Sequence, residues 1–417
     1  MLRISLWIGK ATLFGLQIFH RRGAALPGLI VEKIYPKFLP DMLASLPDGV
    51  VVVSGTNGKT TSTKMLAAIL ASSGKKVLTN PTGSNFTRGV AASIVAGSTW
   101  SGKLDYDIAI IELDEAYAAK FVELVRPRAS LILNVMRDQM DRFGEIDHTA
   151  QLLEAVVHAT TDVVILNKDD KRVNALQSST QAEVLFFGVS SKLRDVFRSD
   201  DELHGEIINA DEYAIVELRS MSDEVITLYI DGKTYRYPLS LYGVYNAQNA
   251  TAVTAMCLAL GLHPKDIGRH ISTVTPAFGR GERIYVGSKR VILQLVKNPG
   301  GFRHALLGGK SIDAHHVMIA INDDYADGRD VSWLWDVDFS SLAQSSIITT
   351  GVRAADMALR LQYDEIETLE YERDLKTALK TSLLLTPDDG TLLLYTTYTA
   401  MLKLRTLLSE ITEVEKI

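Results

Sequence analysis

The sequence has a single cysteine, Cys257, among its 417 residues. That excludes an intrachain disulfide and any cysteine-based zinc ribbon, so no zinc site is expected, and it fits a reducing, cytoplasmic setting. An excess of positive charge is also missing. A formal net charge of −6 gives no electrostatic reason to expect a nucleic-acid partner. Long uninterrupted apolar runs are absent too. The N-terminal "MLRISLWIGKATLFGLQIFHRRGAALPGLI" is broken by Arg3 and Lys10 and is not followed by a small-residue cleavage site. Neither a signal peptide nor a spanning helix is expected there. Repeats and low-complexity tracts do not occur. What is present, 47% hydrophobic and 23% charged residues, is the composition of an ordinary soluble enzyme, long enough for two or three domains.

Leu2, Leu6, Ile8, Leu13, Leu16 and Ile18 are spaced for an amphipathic helix, with His20-Arg21-Arg22 at its end. Such a helix can pack on the body of the protein or lie on a membrane surface, peripheral to the inner leaflet. From residue 50 to about 190, apolar runs alternate with polar turns and amphipathic stretches: "VVVSG" (51–55), "KVLTN" (76–80), "DIAIIEL" (107–113), "ASLILNV" (129–135), "DVVILNK" (162–168) and "EVLFFGV" (183–189). These runs lack polar alternation, so they predict a parallel sheet with both faces covered. Residues 211–238 alternate instead and carry an Asp231-Gly232 turn, which predicts antiparallel hairpins. "NAQNATAVTAMCLALGL" (246–262) returns to helix, and the Pro and Gly of "TPAFGRGERIY" (275–285) suggest a hinge. Beyond it, "VILQLV" (291–296), "HVMIAIN" (316–322), "SIITTG" (346–351) and "TLLLYTT" (391–397) predict a second, smaller α/β domain.

The stretch "VVVSGTNGKTTSTKMLAAIL" (51–70) joins a buried strand to a helix through a Gly-rich turn. Backbone N–H groups of such a turn point at an anion, and the helix N-terminus favours negative charge. Lys59 would reach the outer phosphates and the Thr60 hydroxyl would bind magnesium. The longer eight-residue pattern wants Gly where Val53 stands, so this is the shorter G-T-N-G-K-T form. A chance Gly turn is the competing reading, and its position directly after a buried strand argues against it. Glu112 ends the strand "IAIIEL" at the carboxyl edge, where parallel sheets gather ligands. It is a candidate hard-oxygen ligand for magnesium, the alternative being a solvated strand end.

Taken in order, G-T-N-G-K-T, "NPTGSN" (80–85), Glu112, "NVMRDQMDRFG" (134–144), "NKDD" (167–170), "YNAQNATAV" (245–253) and "GRGER" (279–283) resemble the Mur ligase family. The resemblance covers nearly everything beyond residue 45. It implies an α/β fold: a central P-loop ATPase domain with a parallel sheet (46–280) and a smaller Rossmann-like C-terminal domain (281–417), after an N-terminal helical segment (1–45). It also implies a ligase that activates a carboxylate with ATP and Mg²⁺ as an acyl phosphate. By residue, Gly55, Thr56, Asn57, Gly58, Lys59, Thr60 and Thr61 would hold phosphate, with Thr60 and Glu112 on the metal. Asn246 and Asn249 match the family pair at adenine, and Arg280 matches an Arg near the nucleotide. Taken without the resemblance, the two asparagines could equally cap a helix and Arg280 could be a surface charge in the hinge. Lys297, Asn298 and Pro299 stand where the family has His-Asn-Pro.

There are departures from the family pattern. About 45 residues precede the P-loop, too few for the uridine-nucleotide domain of the peptide-adding members. The family's D-H-L-D segment reads Asp138-Gln139-Met140-Asp141 here, with no Lys after it until Lys168. The C-terminal "KNPGGFRHAL" (297–306) and "NDDYADGRDVSWLWD" (322–336) look like the branch of the family that amidates peptidoglycan precursors. That branch implies amidation of the D-glutamate α-carboxylate of lipid II to D-isoglutamine.

Amidation needs ammonia, commonly released from glutamine by an activated Cys thiolate. Cys257 lies in apolar "VTAMCLALGL" and reads as inert packing, so the glutaminase must be another polypeptide. The resemblance implies a GatD-type glutamine amidotransferase subunit. It also implies an Asp in the C-terminal segment that orients the partner's catalytic His, matching Asp330, with Asp327 and Asp336 as competitors. Six carboxylates with Trp333 and Trp335 fall within residues 323–339, composition that suits an interface; the alternative is an acidic loop with its Trp rings in the core. Two other functions compete: an amino-acid-adding ligase like folylpolyglutamate synthase, working without a glutaminase, and a nucleotide-gated binding module.

Overall fold

Runs of β-branched residues build the first sheet. The computed structural model describes all residues except 19–24, 81–85, 138–145, 199–211, 223, 240–242, 275–279, 311 and 415–417, and the backbone alone at Gln17 and Arg280. Strands β1 (Val50–Ser54), β2 (Val77–Thr79), β3 (Ile108–Glu112), β4 (Ala129–Ile132), β5 (Val163–Asn167) and β6 (Glu183–Val189) arise from the six apolar runs. Strands β1, β3, β4 and β5 are buried at every position, as expected where helices cover both faces. Their ladders are all parallel, in the order β2-β3-β1-β4-β5-β6.

The sheet then changes character. Strand β7 (Ala214–Met221) joins β6 in parallel, while β8 (Val225–Ile230) and β9 (Lys233–Pro238) continue it as antiparallel hairpins. Asp231 at φ 44° and Gly232 at φ 77° close the β8–β9 turn, both in the left-handed region that a two-residue hairpin loop requires. Burial in β8 alternates strictly, which is why this stretch is legible as a half-covered sheet.

The chain divides into two compact units. The first comprises Met1–Met136, Ile146–Leu239 and Gln248–Val274, and the second is chiefly Thr275–Ile417. In the second, the strand order is β10-β11-β15-β12-β13-β14, from β10 (Arg280–Val286), β11 (Lys289–Leu295), β12 (His316–Ala320), β13 (Ile347–Thr350), β14 (Glu370–Glu372) and β15 (Thr391–Thr396). Only β10 runs antiparallel. Alternate residues of these strands enter two separate cores. Ile292, Val317, Ile319, Leu393 and Tyr395 face one, and Val291, Leu293, Met318, Leu392 and Leu394 face the other. That is a doubly wound α/β layer. Of the stretch 275–285 expected as a hinge, residues 275–279 lie outside the described residues, and from Arg280 onward it is edge strand β10, whose Ile284 is buried against β11. Its glycine bends rather than ends the strand, since the register slips between Arg280 and Glu282 around Gly281 at φ 77°.

Cys257 is fully buried in the helix Val244–Ala259, and burial pushes its thiol above the ordinary range. At physiological pH it stays protonated and unreactive.

Candidate active site

The turn after β1 owes its shape to two glycines and one asparagine. Gly55 (φ 127°) and Gly58 (φ 90°) take backbone conformations that side chains disfavour. A Cβ on Gly58 would sit 2.3 Å from Asn249 Oδ1, and one on Gly55 2.9 Å from the Asn134 carbonyl oxygen. Asn134 pins the loop from the end of β4. Its Oδ1 accepts from Asn57 N–H at 2.8 Å, and its Nδ2 donates to the Asn57 carbonyl at 3.0 Å. The helix Lys59–Ser72 begins directly at this loop, and no side chain caps its N-terminus and no acidic residue stands in its first turn. The N-terminus of such a helix favours negative charge.

Lys59 is buried inside the loop. Its Nζ donates to the Gly55 carbonyl at 2.6 Å and the Thr56 carbonyl at 3.3 Å, and pairs with Asp114 at 3.2 Å and Glu115 at 3.4 Å. Beside it, Thr60 Oγ1 donates to Glu112 Oε1 at 2.7 Å. Glu112 is buried rather than solvated, and Asn80 fixes its backbone: Asn80 Nδ2 donates to the Glu112 carbonyl at 2.8 Å and Asn80 Oδ1 accepts from its N–H at 2.9 Å. The structure thus joins a hydroxyl and a carboxylate next to a buried ammonium. Two hard oxygens and a charge balance of this kind suit a small divalent cation with phosphate.

The fit to a nucleotide phosphate is also visible in groups without partners. Among the described residues, Thr61 Oγ1 and Asn249 Nδ2 are buried and make no hydrogen bond. Buried polar atoms of this kind are costly unless a ligand satisfies them. Asn249 and Asn246 lie one turn apart on the helix Val244–Ala259, both buried, and Asn249 touches the loop. Both stand inside that helix rather than before its first residue, Val244. Arg280 opens β10, and its side chain is outside the described residues. The Asp138–Asp141 segment and residues 81–85 of "NPTGSN" are outside them as well.

Three roles escaped sequence reasoning. Asp114 and Glu115, which hold Lys59, follow Glu112 in "ELDE" (112–115), so the clustering of carboxylates after a strand was the available signal. Asn80 and Asn134 carried no individual role, although both fall in quoted motifs. "NKDD" supports the site from behind. Asp170 accepts from Val135 N–H at 2.7 Å while capping the helix Lys171–Ala175, and Asn167 Nδ2 donates to the Leu133 carbonyl at 3.0 Å, so the chain on both sides of Asn134 is fixed.

In the second unit the three candidate aspartates part company. Asp327 is buried and fully engaged, accepting from Thr399 N–H at 2.7 Å, Thr399 Oγ1 at 2.5 Å and Asp324 N–H at 3.1 Å. It anchors the start of the helix Tyr398–Ser409. Asp336 is exposed and pairs with Arg137 at 2.7 Å. Asp330 is half-buried, and Ser332, whose N–H donates to its Oδ1 at 2.8 Å, holds its carboxyl below the usual range. The two tryptophans divide likewise: Trp333 lies in the core against Phe302, while Trp335 is exposed and meets Tyr363 edge-on at 5.1 Å. Asn298 caps the helix Pro299–Gly309, its Oδ1 accepting from Gly301 N–H at 2.8 Å.

Comparison with known proteins agrees with this geometry. The Mur ligase middle domain model matches residues 53–257 and the MurT ligase C-terminal model matches 295–401. The MurT subunit of lipid II isoglutaminyl synthase (glutamine-hydrolysing) from Staphylococcus aureus strain COL is 31% identical, over 86% of this chain and 87% of that one. The subunit of the same name from Streptococcus pneumoniae strain ATCC BAA-255 / R6 is also 31% identical, over 93% of each. Among solved structures, MurF ligase from Thermotoga maritima in complex with ADP has a TM-score of 0.69 at 14% identity, covering 91% of this chain and 83% of that one, a likeness of fold. The glycine-cradled loop, the Thr60–Glu112 pair and a matched C-terminal module lead to one assignment: this chain is a ligase of the Mur ligase family, in its MurT branch.

Proposed function

We propose that this chain is the synthetase subunit of a cytoplasmic amidating ligase that converts the D-glutamate α-carboxylate of lipid II to D-isoglutamine in peptidoglycan biosynthesis. A GatD-type glutaminase would supply the ammonia. Two observations support the reading. The relatives that match nearly end to end are named as the MurT subunit of a glutamine-hydrolysing synthase. The only cysteine here is buried and protonated, so this chain has no thiolate with which to hydrolyse glutamine. The second observation carries the need for a partner.

Gly55, Thr56, Asn57, Gly58, Lys59, Thr60 and Thr61 would hold the phosphates of ATP, and Thr60 with Glu112 would hold Mg²⁺. Asn246, Asn249 and Arg280 would contact the rest of the nucleotide. Bound ATP and Mg²⁺ supply the transferable phosphoryl group and the charge that offsets its oxygens. A carboxylate oxygen of the acceptor attacks the terminal phosphorus and ADP leaves, giving an acyl phosphate. Ammonia then attacks the acyl carbon, and inorganic phosphate leaves with one oxygen of the former acid. Lys59 is preorganised for its part, because four protein oxygens already hold its ammonium in place, and such preorganised charge is the chief source of acceleration in phosphoryl transfer. Asp330, half-buried and held through Ser332 N–H, would orient a histidine of the partner.

The test uses the purified chain with ATP, Mg²⁺ and lipid II. Ammonium salt is expected to support amide formation without any partner, and glutamine only after a glutaminase subunit is added. Activity with glutamine alone, or addition of an amino acid in place of ammonia, would overturn the assignment.

A further inference from the structure

The helix Leu2–Ile18 is apolar on two faces, and among the described residues only one of them is buried. Leu6 and Gly9 point inward, where Gly9 lets the helix approach Val31 and Val95 so closely that a Cβ would meet Val31 at 2.5 Å. The outer face carries Ile4, Trp7, Ile8, Ala11, Phe14 and Ile18, a three-and-four spacing that draws one continuous stripe. Ile4 is 52% exposed, Trp7 54%, Phe14 63% and Ile18 55%, far more apolar surface than isolated exposed residues present. Trp100 extends the stripe at 61% exposure, its carbonyl accepting from Trp7 Nε1 at 2.8 Å and its ring lying 5.6 Å from Lys10 Nζ.

Charge separates the possible occupants of this face. Arg3 and Lys10 are the helix's only ionisable residues, and the first carboxylate of the whole sequence is Glu32, in a chain whose net charge is −6. Two basic residues and no carboxylate on the helix, beside an apolar stripe that includes Trp7 and Trp100, complement an anionic lipid–water interface. Among the described residues no helix is long and apolar enough to cross a membrane, so the stripe fits a helix lying in the interface plane. We infer that this face docks the protein on an anionic phospholipid surface. The inference deepens the proposed action on lipid II and rests on that reading for its purpose, since a lipid-anchored acceptor is met only at such a surface.

The test measures binding of the full-length chain to vesicles, without substrate, so that it stands apart from any failure of amidation. Vesicles of equal parts phosphatidylglycerol and phosphatidylcholine are expected to co-sediment the protein, with tryptophan emission shifting to the blue. Phosphatidylcholine alone and high salt should weaken binding. Ile4→Ser with Phe14→Ser, both exposed, should lower affinity at least about tenfold while thermal unfolding stays unchanged. Arg3→Glu with Lys10→Glu should remove the preference for anionic lipid. Absence of vesicle binding by the native sequence, or unchanged binding by the serine variant, would overturn the inference. So would a concentration-dependent dimer that the serine variant abolishes, since the face would then belong to a second copy.

Discussion

Lys59→Met is expected to reduce amide synthesis by on the order of a thousandfold, since on the proposed function it removes a preorganised cation that would face the phosphates. It is also expected to weaken the fold. Lys59 and Glu115 are a buried pair, with side chains 8% and 3% exposed. Removing the cation strands a buried carboxylate, which costs about 3 kcal/mol. The half-exposed Asp114 adds less, because solvent screens it. Loss of activity in this single variant would therefore have two causes. Adding Glu115→Gln separates them: the double variant should recover most of the lost stability and none of the activity. Urea unfolding beside a coupled assay of ADP release reads both. A double variant that regains turnover would show that Lys59 serves the fold alone.

Glu112→Gln is the second large effect, and its signature is different. The amide oxygen can still accept from Thr60 Oγ1, and Asn80 still holds the backbone of residue 112, so the shape of the site should persist. What disappears is the negative charge that, on the proposed function, would draw a divalent cation. Loss of even an outer partner of a metal ligand weakens metal binding about 10- to 100-fold, and loss of the ligand's own charge belongs at the upper end of that range. The Mg²⁺ concentration for half-maximal rate should rise about a hundredfold, with partial rescue at high Mg²⁺. An unchanged Mg²⁺ requirement would remove Glu112 from the metal site.

Part of this site is legible in the sequence and part is not. Lys59, Thr60 and their loop were legible because strand, glycine turn and helix are consecutive, so local conformation alone builds the cradle. Glu112 was legible because a carboxylate ending an apolar strand is conspicuous. The clamp of Asp114 and Glu115 on Lys59 was not, because it spans more than fifty residues and depends on β1 and β3 being adjacent in the sheet. The same holds for Asn134 beneath Asn57, which requires β4 on the other side of β1.

The fold followed the same division. The six apolar runs became six parallel strands, and the Asp231-Gly232 turn became a hairpin. Strand β10 was hidden because its glycine makes a bulge, which reads in sequence like a break. The N-terminal helix also appeared where its spacing placed it, yet the sequence could not tell its packed face from its exposed one. Ile8 and Ile18, grouped with Leu6 by periodicity, turn outward. The acidic segment at 323–339 is similarly mixed. Asp327 and Trp333 serve the core, while Asp330 and Trp335 reach the surface, a division that only burial reveals.

The central claim is that a carboxylate takes a phosphoryl group from ATP before nitrogen arrives. Lipid II labelled with ¹⁸O in the D-glutamate α-carboxylate, incubated with the chain, ATP, Mg²⁺ and ammonium, tests it directly. One labelled oxygen should appear in the inorganic phosphate for each amide formed, with none in ADP. Amide formation that leaves the phosphate unlabelled would contradict it.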